Sequence, residues 1–123
     1  MKMIIVTASF ALFTSTAFAE DAKPAAKVVD VKAAKELLAK TDCNACHNAR
    51  QTGVGPSYKA MSKKIGADEA KMTKAIEAVV KGFSGAATYE GAMMPQAMMP
   101  AHPAVKAEEI ENLVRYMVQA GAK

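Results

Sequence analysis

Tryptophan is absent from this 123-residue chain, and cysteine and histidine occur only twice each, as Cys43, Cys46, His47 and His102. Two cysteines exclude a framework of several disulfides. A structural zinc site takes about four ligands, and three adjacent candidates with His102 far away fit that poorly. The excess of positive charge is small: 16 basic and 12 acidic side chains give a net +4. That balance is not the footprint of a nucleic-acid binder. No apolar run reaches the roughly 20 residues that a membrane-spanning helix needs. Alternating strand patterns are scarce, which argues against the βαβ setting of a thioredoxin-like redox pair.

What is present is concentrated in one pentapeptide, Cys43-Asn44-Ala45-Cys46-His47. The spacing C-x-x-C-H is the attachment signature of a c-type haem. Two thiols one helical turn apart can add across the two vinyl groups of one porphyrin. The adjacent imidazole then lies under the iron as its proximal axial ligand. With no further cysteine, the chain can hold one such haem. The competing reading of Cys43 and Cys46 is a simple disulfide in an exported protein.

The N-terminus has the form of a secretory signal. Lys2 supplies a positive start, residues 3–13 are apolar except for Thr7 and Ser9, and Ala17-Phe18-Ala19 is a small-x-small cleavage site. A retained membrane anchor is the alternative. Cleavage after Ala19 removes residues 1–19 and leaves one small domain, periplasmic in a bacterium. In bacteria haem is attached to C-x-x-C-H on the far side of the cytoplasmic membrane, so the two signals support each other. Residues 20–29, with Pro24, several alanines and mixed charge, read as a flexible leader, and residues 30–123 as the folded domain.

Four helices are expected. The first covers residues 30–40, capped by Asp30, with Val31, Ala34, Leu37 and Leu38 on one face. It runs directly into the cysteine motif. A short helix over 57–65 is capped by Ser57 and stopped by Gly66. Residues 68–81 follow, with Met72, Ala75, Ile76, Val79, Val80 and Phe83 as the apolar stripe and Gly82 as the end. The last helix spans 106–120, with Ile110, Leu113, Val114, Met117 and Val118 inward and Gly121 as its stop. Between the last two, residues 84–105 read as a long irregular segment punctuated by Gly85, Gly91, Pro95, Pro100 and Pro103. Loops of that length usually have a function.

Four of the nine methionines fall in that loop: Met93, Met94, Met98 and Met99. A thioether is a soft neutral donor suited to haem iron opposite a histidine, and it also fills apolar pockets as a flexible side chain. One ligand among the four is expected. His102, between Ala101 and Pro103, is expected to be a solvent-exposed loop residue.

Taken together, Cys43-Asn44-Ala45-Cys46-His47, Gly55-Pro56-Ser57-Tyr58, Met99-Pro100-Ala101-His102-Pro103 and the terminal helix with Tyr116 resemble a bacterial class I monohaem cytochrome c of the small periplasmic c-551/c8 type. The resemblance implies an all-α class I cytochrome c fold of about four helices wrapped around one covalently bound haem c. It implies thioethers at Cys43 and Cys46, His47 as proximal ligand, and the Pro56 carbonyl accepting the proton of the other His47 nitrogen. It implies Tyr116 packed near Ala34. Met99 is the distal ligand by loop length, since family members of this type place it six or seven residues before the last helix. Met94, twelve residues before Lys106, is the longer-loop alternative, with Met93, Met98 and His102 behind it. The missing tryptophan is a departure, because many members use one to hold a haem propionate; Tyr89 is the candidate substitute.

With both axial positions filled by protein, the implied function is a periplasmic electron carrier and not an enzyme. It would cycle one His/Met-ligated haem between Fe(II) and Fe(III) as a monomer, in transient complexes with redox partner proteins. It would bind no nucleic acid and have no stable membrane insertion after signal cleavage. Two alternatives are a haem subunit or sensor dedicated to one redox enzyme, with a labile distal ligand, and a periplasmic copper protein using the Met pairs and C-x-x-C for Cu(I).

Overall fold

A computed structural model describes residues 27–89, 91–93 and 95–123. The expected signal segment, most of the leader, and Met94 lie outside the described residues. Among them, no helix is long and apolar enough to cross a membrane.

Five helices form among the described residues, each where local chemistry favours it. Helix α1, Val31–Lys40, starts where the Asp30 carboxylate accepts the Ala33 N–H at 3.0 Å. Helix α2, Cys43–Cys46, is a single turn. In α3, Tyr58–Ile65, Ser57 caps the start and Gly66 closes the end at φ 54°. Asp68 likewise caps α4, Glu69–Lys81. Helix α5, Ala107–Gly121, opens with the Lys106 N–H donating to the Glu109 carboxylate. Each cap satisfies an amide that the first helical turn leaves without a partner.

Helix α5 organises the rest. One side of it joins Leu113 and Met117 to Ala34 and Leu38 of α1 and to Tyr58 of α3, with Tyr116 packed against the same cluster. The adjoining side joins Ile110, Val114 and Val118 to Met72 of α4. All five expected α5 core positions are buried. Val31 departs from its expected face: it sits in the first turn of α1 and is 47% exposed. The start of α1 is instead tied to α5 by a polar pair. The Asp30 N–H donates to the Asn112 side-chain carbonyl at 2.8 Å, and the Asn112 amide donates to the Asp30 carbonyl at 2.9 Å.

Two expectations are corrected. Gly121 ends α5 from within, as its last residue, and not as the residue after it. A Cβ there would run into the Tyr58 carbonyl group, so glycine is what lets α5 lie on the start of α3. The segment 84–105 is not wholly irregular: it contributes to a small two-stranded ribbon in a fold that is otherwise helical, as expected. Strand β1, Phe83–Ala86, pairs antiparallel with β2, Gln96–Met99, in the register Phe83↔Met99 to Ala86↔Gln96. Phe83 consequently leaves the α4 stripe for β1 and is 41% exposed. The ribbon escapes a pattern search because its residues are mostly Gly, Ala, Ser and Met, which carry little strand preference. Pro95 and Pro100 sit just outside β2, where a missing N–H costs the ladder nothing.

Behind the α4–α5 contact, the buried Arg115 guanidinium donates to both carboxylate oxygens of Glu69 (2.9 and 2.7 Å) and to Glu111 (3.1 Å), which also takes Lys27 at 2.7 Å. Hydrogen bonds from Arg115 hold the Glu69 carboxyl below its ordinary value near 4.5, and those from Lys27 and then Arg115 do the same for Glu111. A carboxylate with a depressed folded pKa stabilises fully above its unfolded value, and that contribution is lost as pH falls through the folded one. Glu69→Gln is therefore expected to lower the Tm at pH 7. It should also narrow the drop in Tm between pH 7 and pH 3, as measured by circular-dichroism melts.

Candidate functional site

The short α2 helix places Cys43 and Cys46 three residues apart, about one helical turn, and both border the same cavity. Neither thiol is in a disulfide. The Thr41 hydroxyl, which donates to the Leu37 carbonyl, lies 3.1 Å from the Cys43 sulfur. At His47 the backbone leaves the helix for an extended conformation (φ −110°, ψ 121°).

His47 is held from two sides. Its Nδ1 is 2.8 Å from the Pro56 carbonyl oxygen. A carbonyl can only accept, so Nδ1 carries the proton and Nε2 keeps a free lone pair. Orientation by such a partner is what metal-bound imidazoles generally need. Gly55 supplies the second constraint. A Cβ at that position would come within 2.8 Å of His47 Cε1 and 3.0 Å of Nδ1, so the absence of a side chain is the seat for the ring. The Gly55 N–H donates to the Cys46 carbonyl at 3.0 Å, tying this loop to α2.

A contact that sequence reasoning missed reinforces α2. The Tyr58 phenol, largely buried in the α1–α5 core, donates to the Asn44 side-chain carbonyl at 2.9 Å. Burial pushes its pKa up, which keeps it a donor. Asn44 stands between the two cysteines, so the cysteine helix is pinned directly to the core. Nothing in the periodicity of either segment signals that pairing.

Across the cavity boundary, β2 sorts the methionines. Successive side chains of a strand point to opposite faces. Ala97 and Met99 are half-buried, whereas Gln96 and Met98 are exposed, Met98 at 74%; Ala97, Met98 and Met99 all border the cavity, Met98 only at its open rim. Met93 is 75% exposed. Met94 is outside the described residues. Tyr89 also borders the cavity, and its hydroxyl donates to the Val54 carbonyl at 2.8 Å, joining the methionine loop to the loop before Gly55.

His102 is not the exposed residue expected. Only 18% of its side chain is accessible. Its Nε2 faces an Asp42 carboxylate oxygen at 3.5 Å, and its Nδ1 is buried without a hydrogen-bond partner among the described residues. It too borders the cavity, beside the residue that precedes Cys43.

The cavity has a volume of about 530 Å³ and a predominantly apolar lining from α2, α3, α4, α5 and the ribbon. That is the size and character of a site for a large apolar cofactor. The donor set fits a c-type haem: paired thiols at one edge, a pre-oriented imidazole seated on a glycine, a half-buried thioether, and a buried histidine nitrogen left without a partner.

The comparisons with known proteins agree. The sequence profile of the cytochrome c family matches residues 31–121, and the chain belongs to that family. Its fold is similar to that of the class 1 cytochrome MtoD of Sideroxydans lithotrophicus ES-1. The TM-score is 0.61 and the identity 26%, over 76% of this chain and 98% of that one. No curated relative matches in sequence. The protein is thus a class I monohaem cytochrome c; the family binds haem c covalently, and residues 43–47 form a C-x-x-C-H consistent with such a site. Haem-based electron transfer is the function these relationships support.

Proposed function

We propose that this protein is a periplasmic, monomeric electron carrier. In this reading residues 1–19 are cleaved, Cys43 and Cys46 would hold one haem through thioethers, and His47 Nε2 and the Met99 sulfur would hold its iron. The observation that carries the reading is the His47–Pro56 hydrogen bond, which commits Nδ1 and leaves Nε2 as a donor bordering a large apolar cavity. When bound, the haem supplies a one-electron Fe(II)/Fe(III) couple.

The chain's own residues do the rest. His47 is fixed in tautomer and angle by Pro56 and Gly55, so little rearrangement accompanies a change of charge. Met99, presented by the inward face of β2, offers a neutral thioether that favours the reduced state. The apolar walls from α4 and α5 exclude water and raise the potential in the same direction. With His47 and Met99 both holding the iron, no coordination position would remain for a substrate, which is why a carrier and not an enzyme is proposed. Donor and acceptor proteins would engage transiently.

Denaturing mass spectrometry of protein from a strain competent in c-type maturation tests this directly. The expected mass is that of residues 20–123 plus one haem, and a bare polypeptide mass would refute it. His47→Ala is expected to leave little folded holoprotein, since the iron loses its fixed nitrogen ligand and the cavity its organising cofactor. An unchanged visible spectrum in that variant would remove His47 from the ligand set.

A further inference from the structure

A haem brings two carboxylates as well as a porphyrin, and this chain has no tryptophan to receive them. Tyr89 is an incomplete substitute, because its only proton is already donated to the Val54 carbonyl. We propose that Lys74 and Lys71 of α4 are the cationic partners of the haem propionates. The assignment rests on the covalent-haem reading above.

The first argument is elimination. Only two arginines exist: Arg115 is engaged by Glu69 and Glu111, and Arg50 does not border the cavity. Among the described residues, the charged or titratable side chains that border the cavity, apart from the attachment motif itself, are Asp42, His102, Tyr89 and three lysines, Lys64, Lys71 and Lys74. Asp42 and His102 face each other next to Cys43. Lys64 is committed to Thr88, donating to its carbonyl at 2.9 Å and to its hydroxyl. Lys71 has only a loose approach of 3.7 Å to Asp68, and Lys74 has no hydrogen bond or ion pair among the described residues. A carboxylate at the margin of an apolar cavity needs such a partner to stay ionised.

The second argument is placement. Lys71, Lys74, Ala75, Ala78 and Val79 all border the cavity, at the spacing of one helical stripe. At the far end of α4, Gly82 backs against Ala101, the residue before His102, and His102 faces Asp42 beside the first cysteine. That end of α4 is therefore linked to the thioether edge of the cavity. Lys74 and Lys71 precede Gly82 by eight and eleven residues, roughly 12 and 16 Å along the helix axis. Porphyrin propionates leave the ring on the side away from the vinyl groups. The two lysines stand on the half of α4 displaced in that direction.

The test uses the mature holoprotein with the haem carboxyl carbons labelled through carbon-13 aminolaevulinate. The two carboxyl resonances are followed against pH by NMR in the reduced, diamagnetic state. In the unaltered protein at least one propionate is expected to titrate below the ordinary carboxyl range. In Lys71→Gln/Lys74→Gln its midpoint should rise by about one pH unit or more, with the visible spectrum unchanged. Lys74→Arg should restore the low value in the presence of Lys71, and Lys35→Gln on the exposed face of α1 should leave it unmoved. Titrations that coincide in the double variant and the parent would overturn the proposal. So would a double variant whose only defect is slower electron transfer to an acidic partner, since that assigns the lysines to docking. A bare polypeptide mass would overturn the haem reading itself, and this proposal with it.

Discussion

Met99→Ala is expected to abolish the weak methionine-to-iron charge-transfer band of the oxidised protein while leaving the haem covalently attached. The proposed thioethers would depend on α2 and the core beneath it, not on β2, so the mass should fall only by the side-chain difference. The midpoint potential should fall by on the order of 0.1 V, a fraction of the roughly 0.8 V that axial ligands span, because water or a nitrogen donor stabilises Fe(II) less than a thioether does. Met98→Ala is the matched control. Its side chain is on the outward face of the same strand, and exchanging it with Met99 requires a one-residue slip of β2 against the paired β1. Potentiometry and the red absorption of both variants decide the matter. A band that survives in Met99→Ala shifts the assignment to Met94, the remaining candidate that precedes a proline, whereas absence of the band from the unaltered protein points to the half-buried His102.

Gly121→Ala is expected to be the most damaging single methyl group in the domain. Alanine would gain about 1 kcal/mol of helix propensity over glycine. The added carbon would overlap the carbonyl group of Tyr58 and lie 2.7 Å from the Lys59 nitrogen, all backbone atoms that no rotamer change can move aside. Helices α3 and α5 must separate, disturbing the cluster that Tyr58 shares with Leu113 and Met117. Overpacking of side chains typically costs about 1–3 kcal/mol, and a clash between backbones belongs at or above the top of that range. Against a typical total of about 5–15 kcal/mol, a Tm lower by ten degrees or more is expected in a thermal melt followed at 222 nm. Because Tyr58 also pins Asn44, the yield of holoprotein should fall with it.

The helices were legible because their signals are local. Asp30, Ser57 and Asp68 each precede an apolar-periodic run, and each accepts an amide from the first turn that follows. The attachment motif was legible because its chemistry demands one spacing. The features that escaped are those set by tertiary pairing. Tyr58–Asn44 and Asn112–Asp30 join residues 14 and 82 positions apart, with no periodicity to announce either. Gly121 looked like a stop because glycine usually ends helices, and only the carbonyl lying against it reveals another reason for the same residue. His102 looked exposed between Ala101 and Pro103, yet the ribbon folds that loop back over α2. Recognising β2 as a strand would have separated Met98 from Met99 by alternation alone, but its composition hid it.

The two ends of the folded domain meet: Ala34 and Leu38 have their principal core partners, Leu113 and Met117, some 80 residues later. No N-terminal fragment that carries the cysteine motif owns a finished interior. On the export proposed above, residues 43–47 would emerge across the membrane well before α5 does. Until the last helix arrives, the two thiols belong to an open chain whose loop closure is still to come. The attachment machinery would therefore meet an extended peptide with both sulfurs accessible, and the final helix would act as the closing step that seals a haem already in place.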